Sequence, residues 1–206
     1  MKMFSYFFWI FMCGSFLGVL VESAWCILRY KKLESRKGVI FGPFNPLYGV
    51  AATIISFSIC HVTNRRFGNI FAIGVVVASM VEYLASYYQE KVTGTVSWNY
   101  EKFKLNLNGR VNLVYSIFWG FLTFIWYKEF MPLIECFVNI LEGHNFITVV
   151  AATAMFIDCV ISLWACVRRK KRRQNIPPQT KFEECLDYMF DDELLKKVYP
   201  NSEFVE

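Results

Sequence analysis

Long apolar stretches that carry almost no charge dominate this 206-residue chain. A helix of roughly 17 to 25 apolar residues is long enough to cross the hydrocarbon core of a bilayer. Five stretches meet that length, and the only formal charges within them are Glu22, Glu82 and Asp158. They are residues 3–28, 47–63, 67–89, 111–127 and 146–167. We therefore predict an all-α fold, a polytopic membrane helical bundle with five transmembrane helices.

The distribution of charge divides the chain into two parts. Charged residues make up 19% of the whole chain, against about 25% in ordinary soluble domains. Residues 168–206 nevertheless hold 9 of the 22 basic and 8 of the 17 acidic residues. This predicts a transmembrane domain at 1–167 followed by a basic, amphipathic tail at 168–206.

The tail contains two recognisable features. Its first six residues, 168–173, are all basic, which is typical of an anchor held at anionic lipid headgroups. Thr180 and Glu183 form a capping box, and apolar residues at helical spacing follow it. We expect a short amphipathic helix at 180–197, and the sequence leaves open whether it lies on the membrane or on a partner.

Basic residues in the short connections predict the orientation of the chain. Connections 29–46 and 90–110 and the tail are rich in Lys and Arg, whereas the other side has Lys2, the pair at 65–66 and Lys128. By the positive-inside rule, the N-terminus is expected outside and the C-terminus in the cytoplasm. The apolar run at 3–28 is too long for a cleaved signal peptide and is followed, not preceded, by its basic cluster. We predict a multi-pass plasma-membrane protein.

Several kinds of site have no signal in the sequence. The seven cysteines form no Cys-x-x-Cys pair, and the two histidines lack the spacing of metal ligands. We predict no disulfide framework, no metal, no cofactor and no nucleic-acid partner. No nucleophile with a base partner appears, so no catalytic residue is predicted.

The glutamates within the spans follow small residues at helical spacing. Gly14, Gly18 and Glu22 are four apart on one helical face, and residues 74, 78 and 82 (Gly, Ala, Glu) repeat the arrangement. Small residues at this spacing allow another helix to approach closely. The matching order suggests a duplication of helices 1–2 as helices 3–4, with chance similarity as the alternative. Each helix is expected to present a groove that ends at a carboxylate.

The two connections predicted to be cytoplasmic are unusual for loops. The first is rich in Gly and Pro, which suits either simple helix capping or an anion site beside a helix N-terminus. The second combines Asn, Arg and aromatic residues, where an interfacial aromatic belt is the simpler interpretation. The residues singled out are Gly42, Pro43, Asn45, Pro46 and Tyr48 in the first, and Trp98, Tyr100, Asn106, Asn108 and Arg110 in the second.

Buried charge is normally paired, yet the predicted spans contain three acids and no base. We therefore expect Arg110, with Arg36, to fold back and meet Glu22 and Glu82 in a polar cluster. This cluster, with Glu90 on the same helical face as Glu82, is the candidate pathway for a substrate or ion. For Asp158 the sequence leaves a structural and a functional role open.

At these residues the chain resembles the putative type IV ABC-transporter permease family, also described as CmpB-like integral membrane proteins. The resemblance covers roughly residues 5 to 125. Asn99 stands where the family pattern usually has Asp, so this chain lacks a carboxylate there. The motifs, in order, are Gly14-Ser15, Glu22, Gly38–Phe44, Tyr48-Gly49, Glu82-Tyr83, Ser86-Tyr87, Glu90, Trp98–Tyr100, Asn108–Arg110 and Trp119-Gly120.

The resemblance implies a membrane permease that works with an ATPase. No Gly-x-x-x-x-Gly-Lys-Ser/Thr motif is present, so a separate ATPase would have to dock on the cytoplasmic loops. Five spans are few for a solitary transporter, which favours homo-oligomerisation or a membrane partner. Two alternatives remain: an enzyme that acts on a lipid or isoprenoid phosphate through Glu22, Glu82 and Arg110, and a regulatory or scaffold subunit.

Overall fold

A computed structural model of the chain describes residues 2–142 and 144–205 and is mostly helical. The helices are α1 (Lys2–Tyr30), α2 (Pro46–His61), α3 (Phe67–Thr93), α4 (Leu113–Ile125), a π-helical turn (Trp126–Phe130), α5 (Met131–Ile140), α6 (Asn145–Arg173), α7 (Lys181–Met189) and α8 (Asp192–Val198). Four strands of two residues each accompany them: β1 (Thr95–Val96), β2 (Asn106–Leu107), β3 (Val111–Asn112) and β4 (Glu203–Phe204).

Three helices, α1, α3 and α6, are long and apolar enough to cross a membrane. Helix α2 is apolar but has only 16 residues. The fourth predicted span, which we expected to end at 127, continues through the π-helical turn and α5 to Ile140. Pro132 lies at the start of α5 and cannot donate a backbone hydrogen bond to the preceding turn, which accounts for the widened turn before it.

Small residues set the spacing within two antiparallel helix pairs, α1–α2 and α3–α4. A Cβ atom added at Gly14 would lie 2.5 Å from the Cβ of Ala52, and one added at Gly74 would lie 2.4 Å from Oγ1 of Thr123. No side chain fits in that space. The predicted small-residue faces are therefore the faces along which α2 and α4 pack.

In both helix pairs the connection between the helices runs back along the first helix: residues 31–45 form the first return connection and residues 94–112 the second. The backbone N–H of Asn45 donates to the carbonyl of Ser15 at 3.0 Å, about 22 Å before the end of α1. In the second pair, Ser79 donates to Ser116 at 2.6 Å, although α3 continues to Thr93. Helices α2 and α4 thus begin part-way along their partners.

An asparagine closes each of these return connections in the same way. The Asn45 side chain accepts from the N–H of Leu47 and donates to the carbonyl of Arg36. Asn112 accepts from the N–H of Val114 and donates to the carbonyl of Lys104. The two helix pairs are therefore built alike, in the order in which the sequence suggested a duplication.

The tail folds onto its own chain rather than forming a single helix. Thr180 caps α7 as expected, but the helical pattern breaks after Met189, and Asp191 caps a second helix, α8. The apolar side chains of both helices pack against α6 and the first return connection. The buried cluster consists of Ile40, Ala165, Leu186, Phe190, Leu195 and Val198.

The basic run at the end of α6 forms ion pairs with the acids of the tail. The guanidinium of Arg168, 1% exposed, donates to both carboxylate oxygens of Asp187, and its Nη1 lies 3.6 Å from Glu183. Arg172 pairs with Asp187 and with Asp192. The attraction to lipid expected for these residues competes with contacts inside the protein.

A pair of short strands adds to the contact between the tail and the rest of the chain. Strand β4 pairs antiparallel with β1, with Thr95 opposite Phe204, and the N–H of Val205 donates to the carbonyl of Gly94. Arg173 lies over the Phe204 ring at 4.4 Å. The fold is therefore not purely α-helical, and the end of the tail lies beside the second return connection.

These ion pairs make the docking of the tail depend on pH. Hydrogen bonds from Arg168 and then Arg172 lower the pKa of Asp187 below its ordinary 3.8, and those from the Gln179 backbone and Lys171 lower the pKa of Glu183 below 4.5. A lowered pKa in the folded state contributes stability that is present above the ordinary pKa and lost as the pH falls through the folded value.

We expect hydrogen exchange of α7 and α8 to stay slow from neutral pH down to about pH 5, and to accelerate only below about pH 4. Release of the tail between about pH 5 and 7 would contradict the assignment of the contact to carboxylates with lowered pKa values. Above about pH 5, sodium chloride at high concentration should accelerate exchange only modestly, because salt screens the partly exposed pair of Arg172 and Asp192 more than the buried pairs of Arg168.

Candidate functional site

A cavity of about 1060 Å³ lies between the α1–α2 and α3–α4 pairs. Ala52 and Trp126 line one end of it, and the Trp126 indole donates to Ser56 at 2.8 Å. Its other end reaches Lys32 of the first return connection and Asn201 of the tail. Two of the carboxylates that the sequence singled out, Glu22 and Glu82, both line this cavity.

Glu82 lies on α3 with its side chain 8% exposed. Its carboxylate accepts from the hydroxyl of Tyr100 at 3.0 Å and from the indole of Trp119 at 3.2 Å. Both donors are neutral. Among the described residues no basic side chain pairs with Glu82, so its charge is solvated by dipoles alone.

Tyr100 is suited to remain a donor to that carboxylate. Burial, followed by the neighbouring Glu82 charge, raises the pKa of Tyr100 above its ordinary value of 10.0. Its ring stacks on Tyr115 with 5.0 Å between centroids. A phenol held in this way stays protonated at physiological pH and fixes the orientation of the carboxylate.

Glu22 has a different environment on α1. It accepts from the hydroxyl of Tyr48 at 2.6 Å and lies 3.7 Å from the guanidinium of Arg36. The structure thus brings Arg36 to Glu22, as the sequence suggested. The Tyr48 ring lies 5.8 Å from the Trp119 ring, so one aromatic contact separates the groups that hold the two glutamates.

The expected pairing of Arg110 with Glu82 is wrong. Arg110 forms an ion pair with Glu90 and donates to Ser86 at 3.0 Å, and its guanidinium lies over the Tyr87 ring at 5.6 Å. Neither Arg110 nor Glu90 lines the cavity. The return connection that carries Arg110 enters the bundle beside the last turns of α3, which places its side chain closer to Glu90 than to Glu82.

The other residues singled out in the return connections fall into two groups. Tyr48, Trp98 and Tyr100 line the cavity. The remainder stabilise the connections: Asn106 accepts from the N–H of Gly109, and Asn108 donates to the hydroxyl of Tyr83. Asn45 is the cap of α2 described above, Pro46 is its first residue, and Gly42 precedes Pro43 at the contact with α6.

Asp158, in the middle of α6, holds the first return connection in place. One carboxylate oxygen accepts from the N–H of Phe41 at 3.2 Å, and the other from the N–H of Gly42 at 2.8 Å. Ser162 donates to Asp158 and accepts from the N–H of Ile40. This carboxylate satisfies backbone groups that would otherwise lack partners inside the bundle, and it does not line the cavity.

Replacing Asp158 with Ala is expected to leave two backbone N–H groups without an acceptor and to destabilise the connection by about 2 to 4 kcal/mol. Asp158→Asn should cost less, because one carbonyl oxygen remains. Amide hydrogen exchange at Phe41 and Gly42 measures the effect. The exposed acid Glu129 offers a control, and exchange as slow in Asp158→Ala as in Glu129→Gln would refute this role.

Some cavity residues had no signal in the sequence when taken alone. Tyr115 and Phe118 lie on the same face of α4 as Trp119, and all three rings line the cavity. Glu203 enters from the far end of the chain through the β1–β4 pairing. The helical spacing of these rings could be seen in the sequence, but the element against which that face packs could not.

The described residues contain no group of three or more His, Cys, Asp or Glu side chains arranged to hold a metal ion. The carboxylates of Glu22 and Glu82 are already oriented by tyrosine and tryptophan donors. The chemistry of the cavity is therefore that of a buried carboxylate, Glu82, and a half-buried one, Glu22, beside aromatic rings.

Comparison with protein-family models gives a match over most of the chain. The model of a family described as "Putative ABC-transporter type IV" matches residues 9–163, more than half of the chain. The matched range includes both helix pairs, the cavity glutamates and Asp158, and it ends before the basic run. No curated protein and no solved structure matches the chain.

Proposed function

The chain belongs to the putative type IV ABC-transporter family, and on that premise we propose that it is the permease-like component of a transporter. The observation that carries this proposal is the cavity between two similarly built helix pairs, with the half-buried carboxylate of Glu22 and the buried carboxylate of Glu82 in its wall. A charged group buried in a membrane domain is costly and commonly marks the path of a substrate or ion.

The cavity suits a solute that moves between two ends of the bundle. Residues of the return connections and the tail line one end of it, and Trp126, whose indole donates to Ser56, lines the other. Alternating access would require that contact to separate. The small residues of the helix pairs keep each pair rigid, so the pairs would move relative to one another as units.

We propose the topology that the distribution of Lys and Arg predicts, with residues 1–167 in the plasma membrane and the tail in the cytoplasm. Two exposed native cysteines test it: Cys60 at the end of α2 and Cys185 in α7. A membrane-impermeant thiol reagent applied to intact cells should label Cys60 and not Cys185. Labelling of Cys185 alone would reverse the orientation.

The energy source is proposed to be a separate ATPase, since the sequence has no nucleotide-binding loop of its own. Purification in mild detergent, with identification of the proteins that co-purify, tests this. We expect an ABC-type ATPase in stoichiometric amount. Purification of the chain without any ATPase, even after cross-linking in the membrane, would refute the proposal.

Charge reversal provides a matched comparison for that experiment. Lys102 and Lys104 are exposed on the second return connection, on the side where an ATPase would dock, whereas Lys2 lies at the opposite end. Lys102→Glu with Lys104→Glu should lower recovery of the ATPase, and Lys2→Glu should leave it unchanged.

The enzyme alternative gains no support, because Arg110 lies outside the cavity.

A further inference from the structure

The charges that line the cavity do not balance. Four acids, Glu22, Glu34, Glu82 and Glu203, share its wall with two bases, Lys32 and Arg36. Arg36 is occupied by Glu22 at 3.7 Å and Glu34 at 3.4 Å. Two of the four acids, Glu82 and Glu203, have no basic partner among the described residues, and of these only Glu82 is buried, since Glu203 is exposed.

Aromatic rings dominate the rest of the wall. Eleven of the thirty-five lining residues are Trp, Tyr or Phe. Around Glu82 they include Tyr100 and Trp119, which donate to it, and Tyr115, which stacks on Tyr100. The face of an aromatic ring attracts a cation, and the attraction strengthens where water is excluded.

The volume of the cavity suits an organic molecule better than a bare ion. Sites for small organic molecules are clefts of about 300 to 1,000 Å³, and this cavity lies at the upper end of that range. A metal ion would need several oxygen or nitrogen ligands, and the described residues supply no such group. An anion would meet the unpaired charge of Glu82.

We infer that the cavity binds a monovalent organic cation with an apolar body, such as a substituted ammonium, with the positive charge beside Glu82 and the body against the aromatic wall. The inference rests on the proposed transport function and names its substrate class. Glu22, which already has Arg36, contributes less to the recognition than Glu82.

Two probe ions of nearly the same size and shape test this inference: tetraphenylphosphonium, a cation, and tetraphenylborate, an anion. Binding of each to the full-length protein is measured by equilibrium dialysis, with protein-free micelles as the blank. We expect saturable binding of the cation with one site per chain, and no saturable binding of the anion. Equal binding of both, or saturable binding of the anion alone, would overturn the inference.

Substitutions identify the carboxylate that binds the cation. Glu82→Gln should weaken binding of tetraphenylphosphonium by about tenfold or more, because a buried charge pair is lost. Glu22→Gln should weaken it less, and Glu129→Gln, an exposed acid outside the cavity, should leave it unchanged. Binding that Glu82→Gln leaves intact would overturn the assignment.

A second variant keeps the test decisive if Glu82→Gln fails to fold. Tyr115→Leu removes a ring from the wall without changing a charge, at a half-buried position. It should weaken binding of the cation by about threefold to tenfold, the value of one cation–π contact. If thermal unfolding shows that this variant is folded, unchanged binding would contradict the role of the aromatic wall.

The same cationic group occurs in free solutes and in lipid headgroups, and competition separates the two sources. Displacement of the probe by tetrabutylammonium alone would assign a free solute. Displacement by added phosphatidylcholine as well would assign a headgroup, and both results support recognition of an ammonium. Displacement by neither would overturn it.

Failure of the cation-binding test can be distinguished from failure of the proposed transport function. If an ATPase co-purifies but the cation does not bind, the transport proposal stands and the substrate class is wrong. If the cation binds in a Glu82-dependent way but no ATPase is found, the binding site stands and the ABC-type mechanism is wrong.

Discussion

Replacing Arg168 with methionine is expected to release the tail from the end of α6. The guanidinium is 1% exposed and donates to Asp187 while it lies beside Glu183. Removing one partner of a buried ion pair costs about 3 to 5 kcal/mol, because the other charge stays buried without compensation. Here Arg172 and Lys171 keep part of the pairing, so we expect a loss of about 3 kcal/mol.

The free energy of tail docking is measured by hydrogen exchange of α7 and α8, and cleavage of the tail by added protease gives a second readout. Arg173 on the same helix supplies the control, since it is exposed and contacts only the Phe204 ring among the described contacts. Arg173→Met should cost at most about 1 kcal/mol. Equal effects of the two substitutions would show that the buried pairs do not hold the tail.

Replacing Gly18 with alanine is expected to force α1 and α2 apart. The added Cβ would lie 2.2 Å from Cγ and 2.4 Å from Cβ of Tyr48, atoms too close to the backbone to move away by rotation alone. Overpacking of this kind costs typically about 1 to 3 kcal/mol. Because Tyr48 also donates to Glu22, the same change disturbs the cavity.

Gly68 in the first turn of α3 is the matched control, because a Cβ added there meets nothing within 4 Å. Gly68→Ala should leave stability unchanged or raise it by up to about 1 kcal/mol, as expected for alanine in a helix. Thermal unfolding in detergent compares the two variants. A Gly18→Ala protein as stable as Gly68→Ala would refute the close packing of α1 on α2.

The helical segments and the buried carboxylates could be predicted from the sequence because each leaves a local signal. An apolar run has a length, and Glu22 and Glu82 follow small residues at helical spacing. The family could also be predicted, because its motifs occur in order along the chain. The pairing of Arg36 with Glu22 followed from the need to balance buried charge.

The partner of Arg110 and the depth in the bundle at which α2 and α4 begin could not be predicted in this way. Both depend on how far each return connection runs back along its helix, and this is set by contacts across the chain such as Asp158 with Gly42. The docking of the tail could not be predicted for the same reason, because Asp187 and Arg168 meet only after α7 folds back on α6. Local patterns contain no information on such distant contacts.

The measurement that tests the central claim most directly is the reactivity of a single cysteine in the cavity wall. Ala51 lines the cavity, whereas Val76 is exposed on α3 outside it, where lipid would cover it. In a chain whose native cysteines are replaced, Ala51→Cys should react in membranes with a charged, water-soluble methanethiosulfonate reagent, and Val76→Cys should not. The cationic reagent should react faster than the anionic one. An Ala51→Cys protein that reacts no faster than Val76→Cys from either side of the membrane would contradict a water-accessible substrate pathway between the two helix pairs.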